Sequence, residues 1–372
     1  MATAPLSLDG LRAEVAGGEV DTVRVCFSDH YGMLRGRRLV GEVFAQDPEA
    51  VQAFCDGALV WDVHCDIFEE TDYSNFRTGY PDLFAHPDLA SLRRCGWSQG
   101  SAMVLTHVTD PHGKPSPLDP RGLLARAAER LDAGPVALTL SIRAGYGRLG
   151  PGWEPGPAPE FADLWRAGLE GSSVAFDSLD YDPKGCRAVL RLSPAAPVAA
   201  ADALVTARSA AREIGLVEGI TVTTMGRLAP GAPDEPMAIS PGGGFPADAG
   251  SLSRLADLAL LCRSLPLGWP AGSLDDSAAV VASASASPYL ATAATLIAAG
   301  AAAEGGGESP PASLAEAAGR LEEAAWAADW LGPMFIHDAI ELARREAAMR
   351  KEAAGSNPEA TAWDIARYGE VG

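Results

Sequence analysis

"SAMVLTHVTDPHGKPSPLDPRGLLARAAERLDAGPVALTLSI", residues 101–142, runs from a strand through a turn into a helix and back to a strand. "SAMVLTHVTD" (101–110) reads as a strand that stops at the turn signals of "DPHGKPSP". "LDPRGLLARAAERLDAG" (118–134) reads as a helix, with Asp119 as N-cap, Pro120 at the first helical position and Gly134 past its end. In "GPVALTLSI" (134–142) Val136, Leu138, Leu140 and Ile142 fall on one side, and Ala137, Thr139 and Ser141 on the other. That is the period of a strand. Neither side carries a charge, so the pattern alone leaves open what the small, hydroxylic side looks at.

At 372 residues the chain is long for one core, and two domains are expected. A hydrophobic content of 47% with 21% charged residues suits a globular protein. The net charge of −20 opposes binding to a phosphate backbone, which excludes nucleic acid as an expected partner. The six cysteines form no CxxC pair, so neither a zinc ribbon nor a thioredoxin-type site is supported. The N-terminus "MATAPLSLDG" has no basic region and no apolar run. The longest apolar stretch, "PYLATAATLIAAGAAA" (288–303), is too short to span a bilayer. A cytoplasmic protein without a membrane partner is the expectation.

Upstream, "VDTVRVCFSDHYGMLRGRRLV" (20–40) predicts a hairpin in which Val23, Val25 and Phe27 alternate and Tyr31-Gly32 turns. "GALVWDVHCDIFEET" (57–71) predicts another strand, which makes 1–117 a small β-rich domain. Downstream, "SVAFDSLDYDPKGCRAVLRLSP" (173–194) predicts two strands about a turn at Pro183–Gly185. "VAAADALVTARSAAREIG" (198–215) predicts a helix closed by Gly215, and "VTTMGRL" (222–228) a short strand. "SLAEAAGRLEEAAWAADWLG" (313–332) opens with Ser313 and Glu316 as a capping box. "FIHDAIELARREAAMRKEAAG" (335–355) is amphipathic with basic residues late. "AAAEGGGESPPA" (301–312) reads as a linker.

In order, these stretches resemble a glutamine synthetase. "VRVCFSDHYGMLRGRRL" is similar to the family's opening strand–turn–strand. The run from "GYPDLFAHPDLASLRRCGWSQG" to "DPRGLLARAAERL" follows the family's link between its two domains. "SPYLATAATLIAAG" resembles its "NPYLALAA…AG" helix, and "SLAEAAGRLEEAAWAADWLGPMFIHDAIELARREAAMRKE…TAWDIARY" its C-terminal helices. The resemblance implies an α+β fold: an N-terminal β-grasp domain (1–117), then a catalytic-type α+β domain (118–372) with a shortened active-site segment and C-terminal helices. It further implies subunit assembly and a family activity, glutamate–ammonia or glutamate–amine ligation, that uses ATP with Mg or Mn.

The family's metal and nucleotide motifs have no counterparts here. "GPVALTLSI" stands where the family reads like "GPEPEFFLF", placing Val136 and Leu138 at its acids and an apolar set toward a filled or dry cavity. Independently of register, no Asp, Glu or His occurs between Ala133 and Trp153. "LDYDPKGCRAV" (179–189) stands for "HHEVAPGQHEI", with Tyr181 and Ala188 at its glutamates. "APDEPMAIS" stands for "GSGLHVHLS", with Pro236 and Ala238 at its histidines. No histidine lies between His112 and His337. "DDSAAV" (275–280) stands for "RRIEVR", putting Asp276, Ala278 and Val280 at its charged positions.

Four features remain to be weighed. Asp29 matches a family aspartate that reaches a neighbouring subunit, and is otherwise a turn-forming residue. Asp180, Tyr181, Asp182 and Cys186 crowd the relic of the second motif as a candidate acid–thiol site, or else solvate a loop around a packed cysteine. "WDVHCDIFEE" gathers His64, Cys65, Asp66, Glu69 and Glu70. On a strand His64 and Asp66 would share a face, yet one His with one carboxylate is too few for a ligand set. "LRGRR" (34–38) reads as a solvated strand end that can meet an acidic neighbour. The expectation is a pseudoenzyme or accessory subunit with no metal or cofactor of its own. It would form a homo-oligomer, or a hetero-oligomer with a glutamine synthetase homologue. The alternatives are altered, ATP-independent acyl or amine transfer on a glutamyl or amine ligand, or a weak ligase with relocated ligands.

Overall fold

The computed structural model describes residues 6–150, 153–225, 235–246, 248–262, 273–274, 279–302, 304, 310–311, 313–355 and 362–369. Helix α1 (Leu8–Gly17) starts at Ser7, whose hydroxyl accepts the Gly10 amide at 3.0 Å. Strands β1 (Thr22–Ser28) and β2 (Leu34–Val40) form the expected antiparallel hairpin, with Val23, Val25 and Phe27 buried. Helix α2 (Gly41–Gln46) and strands β3 (Gln52–Cys55), β4 (Asp82–Pro87), β5 (Arg93–Arg94) and β6 (Ser101–Thr109) follow. The sheet runs β2-β1-β6-β4-β3, with β5 on β6. β1 and β6 are parallel.

The strand expected over 57–71 is absent. Strand β3 precedes it, residues Asp56–Leu59 make a 3-10 turn, and no strand lies between Val60 and Thr71. The cause is local: the Asp62 carboxylate accepts the amides of His64 at 2.9 Å and Asp66 at 2.7 Å, a turn that competes with a strand ladder. Cys65 is accordingly left-handed, with φ 65°.

The second sheet grows around one long strand. Helix α3 (Pro120–Arg130) is capped by Asp119 as expected, but ends before Gly134, with Asp132 left-handed at φ 47°. Strand β7 (Val136–Tyr146) leads to β8 (Gly156–Pro157), α4 (Glu160–Gly171), β9 (Phe176–Asp182) and β10 (Arg187–Leu192). Next come α5 (Pro197–Glu218), β11 (Thr221–Thr223), β12 (Pro236–Pro241), α6 (Ala249–Asp257), β13 (Ser273–Leu274) and β14 (Val280–Ser283). The order is β13-β14-β12-β7-β10-β9, with β11 and β8 also on β7. Helix α5 runs past Gly215 and stops where Gly219 takes the left-handed cap at φ 68°, since a cap needs positive φ. Gly215 serves instead to let the chain return: a Cβ there would lie 2.6 Å from the Ile220 carbonyl.

The C-terminal helices are α7 (Pro288–Gly300), α8 (Leu314–Glu323), α9 (Ala328–Leu331), α10 (Pro333–Ala354) and α11 (Ala362–Tyr368). The single helix expected over 313–332 is thus divided, with Trp326 in the break donating to Asp257 at 3.1 Å. The expected linker at 301–312 falls mostly outside the described residues, as does the later part of 222–228. No described helix is long and apolar enough to cross a membrane.

Buried ion pairs join the two sheets and the helices. Arg121 of α3 donates to Asp202 of α5 at 2.9 and 2.8 Å and to Asp88, beyond β4, at 2.6 Å. Tyr289 of α7 donates to the same Asp202 at 2.8 Å. Farther along, Arg367 of α11 bridges Glu346 of α10 and Asp62 of the 60–71 loop. Asp338 accepts the amides of Asp72 and Tyr73 at 2.8 and 3.0 Å.

Val136, Leu138 and Leu140 are completely buried, on the side of β7 that packs against α5 and the helical layer. Ala137 and Thr139 on the other side are half-buried. The facing assignment has a direct consequence for stability. Leu138→Asp puts a carboxylate into the helix-covered core and should cost about 4 kcal/mol or more. Thr139→Asp, one residue on, should stay within about 1 kcal/mol, as read by urea unfolding of both variants.

Candidate functional site

The side of the second sheet opposite the helical layer, uncovered among the described residues, is the candidate site, because its strands present polar and small residues there in register. Along β7 these are Ala137, Thr139, Ser141 and Arg143. Pairing puts Arg187 opposite Arg143, Val189 opposite Ser141 and Arg191 opposite Thr139. On the other flank Ala238 lies opposite Thr139, and Ser240 opposite Ala137. At the centre sits Glu235, the residue before β12, with its side chain 6% exposed. Ser141 donates to its carboxylate. The Arg187 Nε donates to both the Glu235 carboxylate at 2.8 Å and the Ser141 hydroxyl at 2.7 Å. The Arg143 Nε stands 3.9 Å from the same carboxylate. One buried acid is therefore enclosed by two guanidinium groups and a hydroxyl, and charge-assisted bonds of this kind are the strong ones.

The expected lining is corrected by this geometry. Val136 and Leu138 do not face the site; they belong to the helix-covered core, as do Ala188 and Val280. Tyr181 points to the covered side too, donating to the Ala144 carbonyl at 3.0 Å and accepting the Ala158 amide at 2.8 Å. Burial raises its hydroxyl pKa above the usual tyrosine value. The reason is the strand period: a shift of one residue exchanges faces, and the apolar set must meet the helices. Pro236 and Ala238 do lie on the uncovered side. Asp276 and Ala278 lie outside the described residues.

The candidate acid–thiol group is split by the sheet. Cys186 is buried, left-handed at φ 48°, and donates toward the Pro155 carbonyl at 3.4 Å on Tyr181's side. Asp180 and Asp182 are exposed on the other side, in register with Val189 and Arg187. Asp182 accepts the amides of Lys184 at 2.9 Å and Gly185 at 3.1 Å, and so builds the hairpin turn.

Asp29 is likewise a turn carboxylate. It is fully buried and accepts from the amides of Tyr31 and Met33 and from Arg35 Nε, at 3.0, 2.9 and 2.9 Å. The cluster in 64–70 does not converge. His64 and Cys65 are exposed, Glu69 receives Tyr80 and the Phe76 amide, and Glu70 pairs with Arg345 at 3.4 Å.

Sequence reasoning missed Ser141, Arg143, Arg187 and Glu235 as a unit. The alternation of Ser141 with Arg143 was a usable signal, but two arginines directly opposite each other are unfavourable until a third strand brings an acid. Among the described residues no group of three His, Cys, Asp or Glu side chains is placed to hold a metal ion. Of the acids on this face, Glu235 is paired with Arg187, Asp182 is taken up by the hairpin turn and Asp180 accepts the Ser178 hydroxyl, so this donor set does not fit a divalent cation. Arg187→Ala should destabilise by about 2 kcal/mol by leaving Glu235 with a more distant cation. Glu235→Gln, which keeps an acceptor, should cost about 1 kcal/mol. A double-mutant cycle followed by urea unfolding reads both values and their coupling.

No family profile matches the chain. Over 130 residues it is 34% identical to the gamma-glutamylethanolamide synthetase GlnA4 of Streptomyces coelicolor, covering 35% of this chain and 28% of that protein. Over 119 residues it is 30% identical to a glutamate–isopropylamine ligase of a Pseudomonas species, covering 30% and 25%. A type-1 glutamine synthetase of Dictyostelium discoideum aligns over 108 residues at 29% identity, covering 29% of this chain and 21% of that one. The matched part is thus a minor share of each curated relative. Solved structures are similar over almost the whole chain. A novel glutamine synthase homologue superposes with a TM-score of 0.70 at 19% identity, covering 94% of this chain and 97% of the other. A GmaS/ADP complex superposes with a TM-score of 0.70 at 15% identity, covering 96% and 98%. By fold, and by the third of its sequence that aligns to curated ligases, the chain is a glutamine synthetase-like protein of α+β architecture.

Proposed function

We propose that this chain is a non-catalytic member of the glutamine synthetase-like group, acting as an accessory subunit in assembly with itself or with a ligase homologue. The observation that carries the reading is the pairing of Glu235 with Arg187 and Ser141, with Arg143 beside them, at the centre of the uncovered face. Ligation of glutamate with ATP needs carboxylates left available to metal ions that hold phosphates. Here the protein's own guanidinium groups take that electrostatic place. The sequence supports the same reading, with no acid between Ala133 and Trp153 and no histidine between His112 and His337. The division into 1–117 and 118–372 is part of this proposal, the first part acting as an assembly module.

The relatives named as an ethanolamide synthetase and an isopropylamine ligase indicate which substrates to try. An altered acyl transfer through Cys186 is less well supported, because the thiol and the acids Asp180 and Asp182 lie on opposite sides of the sheet. The purified chain with glutamate, ATP and Mg²⁺ or Mn²⁺ should release no phosphate above the blank when given ammonia, ethanolamine or isopropylamine. Calorimetry should show no Mn²⁺ binding and no gain in ATP affinity when Mn²⁺ is added. Amine-dependent phosphate release would sink the proposal, and a strictly monomeric chain that forms no complex with a ligase homologue would remove its accessory part.

A further inference from the structure

A groove between β2 and α5 is lined by Arg38, Arg208 and Arg212 and encloses about 430 Å³, a volume typical of small-molecule sites. In a chain of net charge −20, three arginines lining one groove are not a general property of the surface. Two of them, Arg208 and Arg212, are one helical turn apart on α5, a like-charge spacing that is unfavourable on its own. Arg208 is 2% exposed. Its Nη1 donates to the Ala286 carbonyl at 2.7 Å, but Nε and Nη2 have no hydrogen-bond partner among the described residues.

Among the described residues, the carboxylates nearest this charge are already committed to other partners. Burial lowers the Arg208 pKa to about 10, against a smaller opposite effect of Asp29. Asp29 itself is occupied by Arg35 and two amides. Glu213, the carboxylate on the α5 wall, is held by Arg24 at 2.6 Å and by the Trp97 indole at 2.9 Å. A buried guanidinium with unmade bonds is costly; its Nε and Nη2 are shielded from solvent, and an anion entering the groove would relieve it once the side chain turns toward the groove. The rim is apolar: Leu216 and Val217 are 69% and 81% exposed.

We propose that the groove between β2 and α5 binds a small organic phosphate, with Arg208 and Arg212 on the phosphate and Leu216 and Val217 beside the organic part. Guanidinium forks match phosphate oxygens in pairs, and a dianion offsets more of the cationic lining than a monocarboxylate does. The site is separate from the uncovered face of the second sheet and stands whether or not that face is catalytic. It also gives a role to the basic run at 34–38, from which Arg38 reaches the groove.

The test is calorimetry on the full chain at low ionic strength, with inorganic phosphate, phenyl phosphate and benzoate as probes. Saturable binding is expected in the order phenyl phosphate, inorganic phosphate, benzoate. Arg212→Gln and Arg38→Gln alter accessible side chains and should each weaken phenyl phosphate by roughly tenfold or more. Arg208→Lys keeps the charge without the fork and should weaken it as well, whereas Arg166→Gln, in a surface pair with Glu170, should not. Absence of saturable phosphate binding would overturn the proposal. So would affinity unchanged in both Arg212→Gln and Arg38→Gln, or benzoate binding as tightly as phenyl phosphate.

Discussion

Strand β7 must bury one side, and the rest of the second sheet follows from which side that is. It is the strand on which β8, β10, β11 and β12 all pair, so its facing is imposed on each of them. Val136, Leu138, Leu140 and Ile142 go against the helices, where each leucine contributes about 2 kcal/mol of burial. Ala188 and Leu190 of β10 and Met237 and Ile239 of β12 are then directed to the same core. The uncovered side receives what remains: small residues, hydroxyl groups and the two arginines around Glu235.

Charge organises the molecule at a second level. Asp202 receives Arg121 and Tyr289, which binds α3, α5 and α7 into one layer and, through Asp88, reaches the first sheet. Glu346 receives Tyr31, Arg367 and Tyr368, and so ties the first hairpin to the last two helices. These carboxylates are buried and paired, where removal of one partner is far more costly than the pair is stabilising. They explain how a strongly acidic chain keeps a compact interior: many of its acids are neutralised by specific arginines within it.

The two electrostatic environments of the surface differ in kind. On the uncovered face of the second sheet, an internal acid is occupied by Arg187 and Ser141, with the Arg143 Nε 3.9 Å away and making no hydrogen bond among the described residues. In the groove between β2 and α5, the buried guanidinium of Arg208 has bonds left to make. The first arrangement argues against recruiting a metal ion, the second for recruiting an anion. Both readings follow from where arginines sit relative to the nearest uncommitted carboxylate.

Much was legible in the chain by itself. The hairpin at 20–40, the capped starts at Asp119 and Ser313, and the strand at 134–142, which the fold extends to Tyr146, rest on local rules of period, capping and turn chemistry, which act within a few residues. So does the lack of acids and histidines along the stretches where a ligase would need them. Local rules failed at 57–71, where the Asp62 side chain diverts the backbone, and at Gly215, whose place is set by the returning chain at Ile220. Which face of β7 looks to the helices was beyond the sequence, because alternation defines two faces and only packing chooses between them. The pairing of Glu235 with Ser141 and Arg187, and the buried state of Arg208, were decided by tertiary structure alone. They join residues far apart in the chain, and a charge has no partner until the fold supplies one.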